Sequence, residues 1–270
     1  MSTALVLAGG GVTGIAWETG VLLGLRENGL DLTTADLVVG TSAGSTVGAQ
    51  LRTGKTLDEM FTAQLDDNHG EISPRIDVEL VTGIFGLMTD GGTHDDEQRR
   101  RIGERALAAP TVDEATRRAV IERRIATSAW PTATLIITAI DAVTGEFVLW
   151  TKDSGISLVD AVASSCAVPG VWPCVSINGR RFYDGGLRNS ANAFLAAGHD
   201  TVFVLAPLTG GASPAVETEM NELRRQGSTV HFISADAEAV AAMGPNSLDP
   251  RFRRAAAEHG LRQGRAARLD

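Results

Sequence analysis

Two short apolar runs, each closed by glycine and each followed by a helical pattern, constrain this chain more than any other feature. Ala4 to Ala8 runs into Gly9-Gly10-Gly11. Residues Ile15 to Asn28 then set Trp17, Val21, Leu22 and Leu25 at helical spacing, with Gly29 placed to stop the helix. Asp36 to Val39 runs into Gly40, and Ala43 to Arg52 again reads as a helix. Strands that are apolar throughout, rather than at alternate positions, are covered on both faces. Strand, helix, strand, helix in that order predicts an α/β fold with a mostly parallel central sheet.

The remainder fits one domain over 1–270, with a core at about 4–207. Leu135 to Asp141 and Phe147 to Thr151 read as paired strands around Thr144-Gly145. Leu158 to Ser165 is helical, and Pro169-Gly170 ends that stretch. Val175-Ser176-Ile177 and Arg181-Phe182-Tyr183 flank Asn178-Gly179, a strong hairpin signal. Thr201 to Leu205 and Val230 to Ile233 read as further strands. Residues 66–101 look like an insertion outside the sheet, holding Pro74, the weakly charged stretch Gly83 to Met88 and the polar loop Asp90 to Asp96. A helical excursion is favoured there over a lid. The region 237–270 is Ala-rich and helical, with Arg251, Arg253, Arg254, Arg262, Arg265 and Arg268. A solvated helix is the favoured reading, ahead of peripheral contact with a membrane, lipid aggregates or a partner.

Composition narrows the partners. A formal net charge of −9 argues against nucleic acid, whose phosphates need clustered Lys and Arg. It also argues against general attraction to anionic membranes, but leaves a lipid or small ester open as substrate. Cys166 and Cys174 are too few for a disulfide framework and read as buried thiols. No Cys/His cluster suggests a metal, and no cofactor is expected. No apolar run is long enough for a transmembrane helix. The N-terminus lacks a basic region, so the cytoplasm is the simplest address.

Three glycine-rich elements carry the chemistry. Gly40-Thr41-Ser42-Ala43-Gly44 matches G-x-S-x-G where a buried strand ends and a helix begins. A serine there sits on a tight turn with its hydroxyl above the sheet, and the helix N-terminus favours negative charge nearby. Gly9 to Gly14 reads two ways: a phosphate-cradling loop of a dinucleotide fold, or an oxyanion hole of backbone N–H groups. The oxyanion reading is preferred, because the next strand ends in G-x-S-x-G where a dinucleotide fold usually carries an acidic residue. Asp184-Gly185-Gly186 follows Phe182-Tyr183. A carboxylate can serve as the base of Ser42 if burial raises its proton affinity and it lies within hydrogen-bond reach.

Together, and in this order, the three elements resemble the patatin-like phospholipase family. The stretch Ala163 to Gly170 also looks like the family's segment before its aspartate, and the resemblance covers roughly residues 4–207. It implies a three-layer α/β/α sandwich related to the α/β hydrolases. It implies a Ser-Asp dyad, with Ser42 as nucleophile and Asp184 as general base, and an oxyanion hole at Gly10, Gly11 and Val12. Gly9, Gly14, Gly40, Gly44, Gly185 and Gly186 complete the motifs. The activity implied is metal-free hydrolysis of lipid acyl esters through an acyl-enzyme. Two departures stand out. Thr13 occupies the place where many members carry Arg or Lys, and Leu187-Arg188-Asn189-Ser190-Ala191 lacks the proline that often follows the aspartate motif. A Ser-His-Asp triad would need His199, His231 or His259, none of which lies in a distinctive loop; His69 and His94 fall in the insertion. An acyltransferase using the same acyl-enzyme, and a non-catalytic nucleotide- or lipid-binding module, are the alternatives.

Overall fold

Each apolar run that ends in glycine is a strand, and the first two lie side by side. In this computed structural model, β1 (Thr3–Leu7) and β2 (Leu37–Gly40) pair in parallel with Leu7 opposite Gly40. The two glycine turns therefore leave the sheet at the same edge. The structure describes residues 1–66, 70–74, 76, 78–86, 95–207 and 211–268.

The helices that follow are α1 (Gly11–Glu27) and α2 (Ala43–Arg52). Then come α3 (Leu57–Leu65), α4 (Val78–Gly86), α5 (Asp96–Ala108) and α6 (Glu114–Ile125). Next are β3 (Thr134–Asp141), β4 (Phe147–Trp150), α7 (Leu158–Ser165), β5 (Val175–Ile177) and β6 (Arg180–Asp184). The chain closes with β7 (Thr201–Ala206), α8 (Pro214–Arg225), β8 (Thr229–Ser234), α9 (Ala237–Ala242) and α10 (Arg253–Ala266). The described strands form an eight-stranded sheet in which β5-β6-β3-β2-β1-β7-β8 are successive neighbours and β4 also pairs with β3. Pairings among β3, β2, β1, β7 and β8 are parallel, whereas β4, β5 and β6 run antiparallel to their neighbours.

Successive side chains of a strand enter opposite layers. Leu5, Leu7 and Val38 join one buried cluster, packed against α1, α2, α7 and α10. Ala4, Val6, Leu37 and Val39 join another, with Val216, Met220 and Leu223 of α8. This is the three-layer sandwich. No helix among the described residues is long and apolar enough to cross a membrane.

The register of β3 decides where the chemistry sits. Ile137 pairs with both Gly40 and Trp150, and Ala139 with both Val148 and Asp184. A strand has two edges and β4 takes one of them throughout, so β2 and β6 must share the other. One is parallel to β3 and the other antiparallel, so their C-terminal ends meet head to head beside Thr138.

Three expectations need correction. The first helix begins at Gly11, not Ile15, so the glycine stretch is a short turn whose later members form the first helical turn. The tail is not one solvated helix. It breaks between α9 and α10 around Gly244-Pro245 and Pro250, and α10 buries Arg253, Ala256, Ala257, Gly260 and Gly264 against the body. A Cβ on Gly20 would lie 2.2 Å from the Ala257 carbonyl oxygen, and one on Gly260 2.3 Å from that of Trp17, so α1 and α10 approach backbone to backbone. The core accordingly extends past residue 207. Within 66–101, the described residues form α4 and the start of α5, while most of the loop Asp90 to Asp96 lies outside the described residues.

Candidate active site

Ser42 stands between β2 and α2 with φ 52° and ψ −113°, a left-handed conformation rarely adopted by a residue carrying Cβ. Such a residue costs on the order of 1–3 kcal/mol unless its surroundings hold it. Here they do. Its N–H donates to Ser165 Oγ at 2.9 Å, and its carbonyl accepts from Ser45 Oγ at 2.6 Å and Cys166 Sγ at 3.2 Å. The Gly44 N–H reaches back to the Ala8 carbonyl at 3.1 Å, and a Cβ on Gly44 would sit 2.1 Å from the Leu7 oxygen. Glycine is required there because the turn lies directly on β1.

Asp184 is the last residue of β6 and only 3% exposed. Its N–H donates to the Ala167 carbonyl at 3.1 Å, and its Oδ1 accepts from the Gly186 N–H at 2.8 Å. Burial raises its pKa to about 7, and the Ser42 hydroxyl and Gly186 N–H pull the other way without cancelling it. The meeting strand ends are stitched by fully buried polar groups. Thr41 Oγ1 and Thr138 Oγ1 are 2.9 Å apart. Asn192 Nδ2 donates to Thr41 Oγ1 at 3.1 Å, Gly185 O at 3.4 Å and Asn189 O at 2.8 Å. Asn192 thus ties the serine turn to the aspartate turn.

The glycine turn lies opposite. Gly9 N–H donates to Ser190 O at 2.9 Å and Thr13 N–H to Ser247 O at 3.1 Å. Between them lie the N–H groups of Gly10, Gly11 and Val12, which precede the first i−4 carbonyl of α1 and have no intrahelical partner. Gly11 has φ +65°, and a Cβ there would meet the Ser247 oxygen at 2.6 Å. Gly10, Gly11, Ser42, Asp184 and Gly186 line one cleft of about 340 Å³. Its apolar wall is formed by Ile76, Val81, Val168, Val171, Leu187 and Leu248. Val12 does not line that cleft; it lines a narrow neighbouring pocket that also touches Ser42. The tail thus supplies cleft residues 245–248, beyond the core expected at about 4–207.

No histidine among the described residues lines the cleft. His199 contacts the Ala196 carbonyl at 3.1 Å, His231 stacks on Phe203 at 4.8 Å, and His259 is on α10. His69 and His94 lie outside the described residues. Cys166 and Cys174 are buried and free. Among the described residues no group of His, Cys, Asp and Glu is placed to hold a metal.

Thr138 and Asn192 are short polar residues with no sequence motif of their own, and Ser165 is marked in the sequence only as part of the stretch Ala163 to Gly170. Arg117 and Arg124 on α6 do carry a signal in the sequence. Arg117, Val120, Ile121, Arg124 and Ile125 follow the i, i+3, i+4, i+7, i+8 stripe of a buried helix face. Arginines on that stripe are buried cations, and Arg117 is only 6% exposed.

The family model described as patatin-like phospholipase matches residues 5–197. No curated protein matches the chain. Among solved structures, VipD from Legionella pneumophila aligns at 14% identity with a TM-score of 0.51, over 97% of this chain and 66% of VipD. ExoU, solved with SpcU from the type III secretion system of Pseudomonas aeruginosa, aligns at 19% identity and a TM-score of 0.39. That match covers 98% of this chain and 53% of the other. The chain therefore spans just under two thirds of VipD and about half of ExoU.

Proposed function

The chain belongs to the patatin-like phospholipase family, and from that premise we propose that it is a serine acyl-ester hydrolase acting on lipid esters through Ser42 and Asp184. The observation that carries this reading is the head-to-head meeting of β2 and β6. It brings a strained, nearly buried serine and a buried aspartate with pKa raised to about 7 into one apolar cleft. An ordinary carboxylate, with a pKa near 3.9, is too weak a base for a hydroxyl. Raised to about 7, it stands close to the optimum for proton transfer at neutral pH.

Ser42 Oγ attacks the ester carbonyl carbon while Asp184 takes its proton. The carbonyl oxygen becomes an oxyanion facing the N–H groups of Gly10 and Gly11 at the start of α1. Collapse breaks the bond to the alcohol oxygen, which leaves with the proton held by Asp184, and Ser42 keeps the acyl group. Water then gives its proton to Asp184 and attacks the acyl carbon. The fatty acid leaves as the proton returns to Ser42. Ile76, Val168, Val171 and Leu248 offer the acyl chain an apolar wall.

Labelling with a fluorophosphonate serine probe, followed by a chain-length series of p-nitrophenyl esters, tests this. Wild-type protein is expected to label and turn over, and Ser42→Ala to do neither. Equal labelling of the two proteins refutes the assignment.

A further inference from the structure

The N-terminus of α1 has two tasks at once. It must be capped, like any partly buried helix start, and it must leave N–H groups free for an oxyanion. An ordinary N-cap residue uses its own side chain, which accepts from the N–H of the second or third helical residue. Gly10 stands at that position and has no side chain to offer. It cannot gain one, because a Cβ there would lie 2.3 Å from Pro207 Cγ. The cap comes instead from the far end of the chain. The Ser247 carbonyl accepts from the Thr13 N–H at 3.1 Å and from Thr13 Oγ1 at 3.3 Å. Thr13 is fully buried and is the third residue of α1, where a side-chain cap would have bonded. The same carbonyl oxygen lies 2.6 Å from where a Gly11 Cβ would be.

That carbonyl belongs to the loop 244–249, which leads from α9 towards α10 and lies outside the residues matched by the family model. The loop is shaped from within. Asn246 Oδ1 accepts from the Leu248 N–H at 3.0 Å, and the Asn246 carbonyl accepts from the Asp249 N–H at 3.0 Å, so Ser247 sits inside a tight turn. At one end Gly244, with φ +72°, lies against the Phe252 ring. Beyond the other end, α10 docks on α1 through Gly260 and Gly20, and Gln263 Oε1 accepts from Trp17 Nε1 at 3.0 Å. The helix that presents the oxyanion donors is thus also the helix on which this strap is anchored. Pro245, Asn246, Ser247 and Leu248 line the same cleft as Ser42 and Asp184.

Resting on the hydrolase reading above, we propose that Ser247 and Thr13 are positioning residues of the oxyanion site: the loop 244–249 caps α1 from outside, so that the Gly10 and Gly11 N–H groups keep their aim while remaining free. Both residues act through the glycine turn rather than on the ester itself. A carbonyl that satisfies the third N–H fixes the first helical turn without consuming the donors before it. Pro207 against Gly10 and Ser247 against Gly11 leave that turn little room to rotate. Oriented donors stabilise developing charge because they need no reorganisation at the moment of reaction. Loosening the cap therefore weakens the transition state far more than the bound ester.

The test uses the full chain as wild type, Thr13→Val, Thr13→Ser and Asn246→Ala, with p-nitrophenyl octanoate as substrate and an octyl trifluoromethyl ketone as inhibitor. Ser42 Oγ adds to the ketone carbon, its proton passes to Asp184, and the carbonyl oxygen becomes an oxyanion that needs the same donors as the ester. Thr13→Val keeps the N–H and loses the hydroxyl bond. It is expected to lower kcat about tenfold with KM within about twofold, short of the roughly 10²–10³-fold lost with a whole donor. The Ki of the ketone should rise by the same factor, and Thr13→Ser should stay near wild type. Asn246→Ala frees the loop without altering α1 and should show the same signature. The double variant should lose less than the product of the two, because both act through one contact. Melting curves identify the folded variants, and if Thr13→Val does not fold, Asn246→Ala carries the comparison. A folded Thr13→Val, or Asn246→Ala in its place, with kcat within about twofold of wild type overturns the proposal. So does a fall in kcat with the Ki of the ketone unchanged. A wild type that neither hydrolyses the ester nor binds the ketone breaks the hydrolase reading itself.

Discussion

The two sides of Ser42 are built from different materials. On one side lie the ends of β1, β2 and β6, where glycine turns and short polar side chains set the backbone to within hydrogen-bond distances. On the other lie α6, Glu71 and α10, which bring long charged side chains together across stretches of sequence separated by up to 190 residues. On the proposed reading, the strand ends serve a reaction common to all acyl esters. The helical side holds guanidinium groups apart from those strand ends. The two sides should therefore separate under mutation: changes at strand ends should depress every ester alike, whereas changes on α6 should leave the chemical step in place.

The largest effect is expected at Asp184. Asp184→Asn should lower kcat for charged and neutral esters equally, by roughly 10²–10⁴-fold, the usual worth of a general base. In the proposed dyad, Asp184 must be ionised to accept the proton of Ser42. With its pKa raised to about 7, kcat/KM on a neutral ester should climb through that pH and level off above it. A flat profile from pH 5 to 9, or a variant within tenfold of wild type, would mean that another group takes the proton. Stability runs the other way. A carboxyl with a raised pKa lends stability that is complete below about pH 4 and lost as pH rises through about 7. Asp184→Asn should therefore melt higher than wild type at pH 8, despite being inactive.

Next comes Asn192, which joins the two turns without touching the cleft. Asn192→Ala removes donors to Thr41, Gly185 and Asn189 in a fully buried place. A cost of about 1–3 kcal/mol in stability follows from leaving those acceptors unpaired. The kcat should fall about tenfold on every ester, the order expected when a reacting pair is slightly misplaced. The ratio between long-chain and short-chain esters should stay put. If that ratio moves with Asn192, the two sides of Ser42 are not independent, and the division between them is wrong.

The same division explains what could be read from sequence. β1, β2 and their glycine turns were legible because local chemistry dictates them: Gly44 must be glycine to lie on Leu7, and Gly11 must be glycine at φ +65°. Asn178-Gly179 gave its hairpin for the same reason, with both residues at positive φ. Thr138 and Asn192 were invisible because their role comes from β2 and β6 sharing one edge of β3, a fact of sheet register. Arg253 looked like one more solvated arginine of the tail. Its burial depends on α10 docking against α1 through Gly20 and Gly260, and the apolar stripe needed to foresee that docking is made of alanine and glycine. Arg117 and Arg124 could have been read from their helical phase, because two cations on an apolar stripe conflict with a simple core.

The smallest expected effect isolates burial from placement. Glu18 lies on α1 and is fully buried, yet it lines neither the cleft nor the cationic cavity. Burial holds its carboxyl well above the usual range, with the Ala8 backbone N–H pulling the other way. Like Asp184, it lends stability that is present below its unfolded pKa and lost as pH rises through the folded one. Glu18→Gln cannot ionise, so its Tm should exceed that of wild type at pH 9, with the gap closing toward pH 5. On esters it should remain within about threefold of wild type, since Glu18 lines neither the cleft nor the cavity. Both carboxyls owe their raised pKa to the same cause, and only Asp184 faces a hydroxyl on a strained turn. If Glu18→Gln also flattened the pH–rate profile, the rise near pH 7 would belong to a coupled pair of carboxyls, and the dyad would have to be redrawn around both.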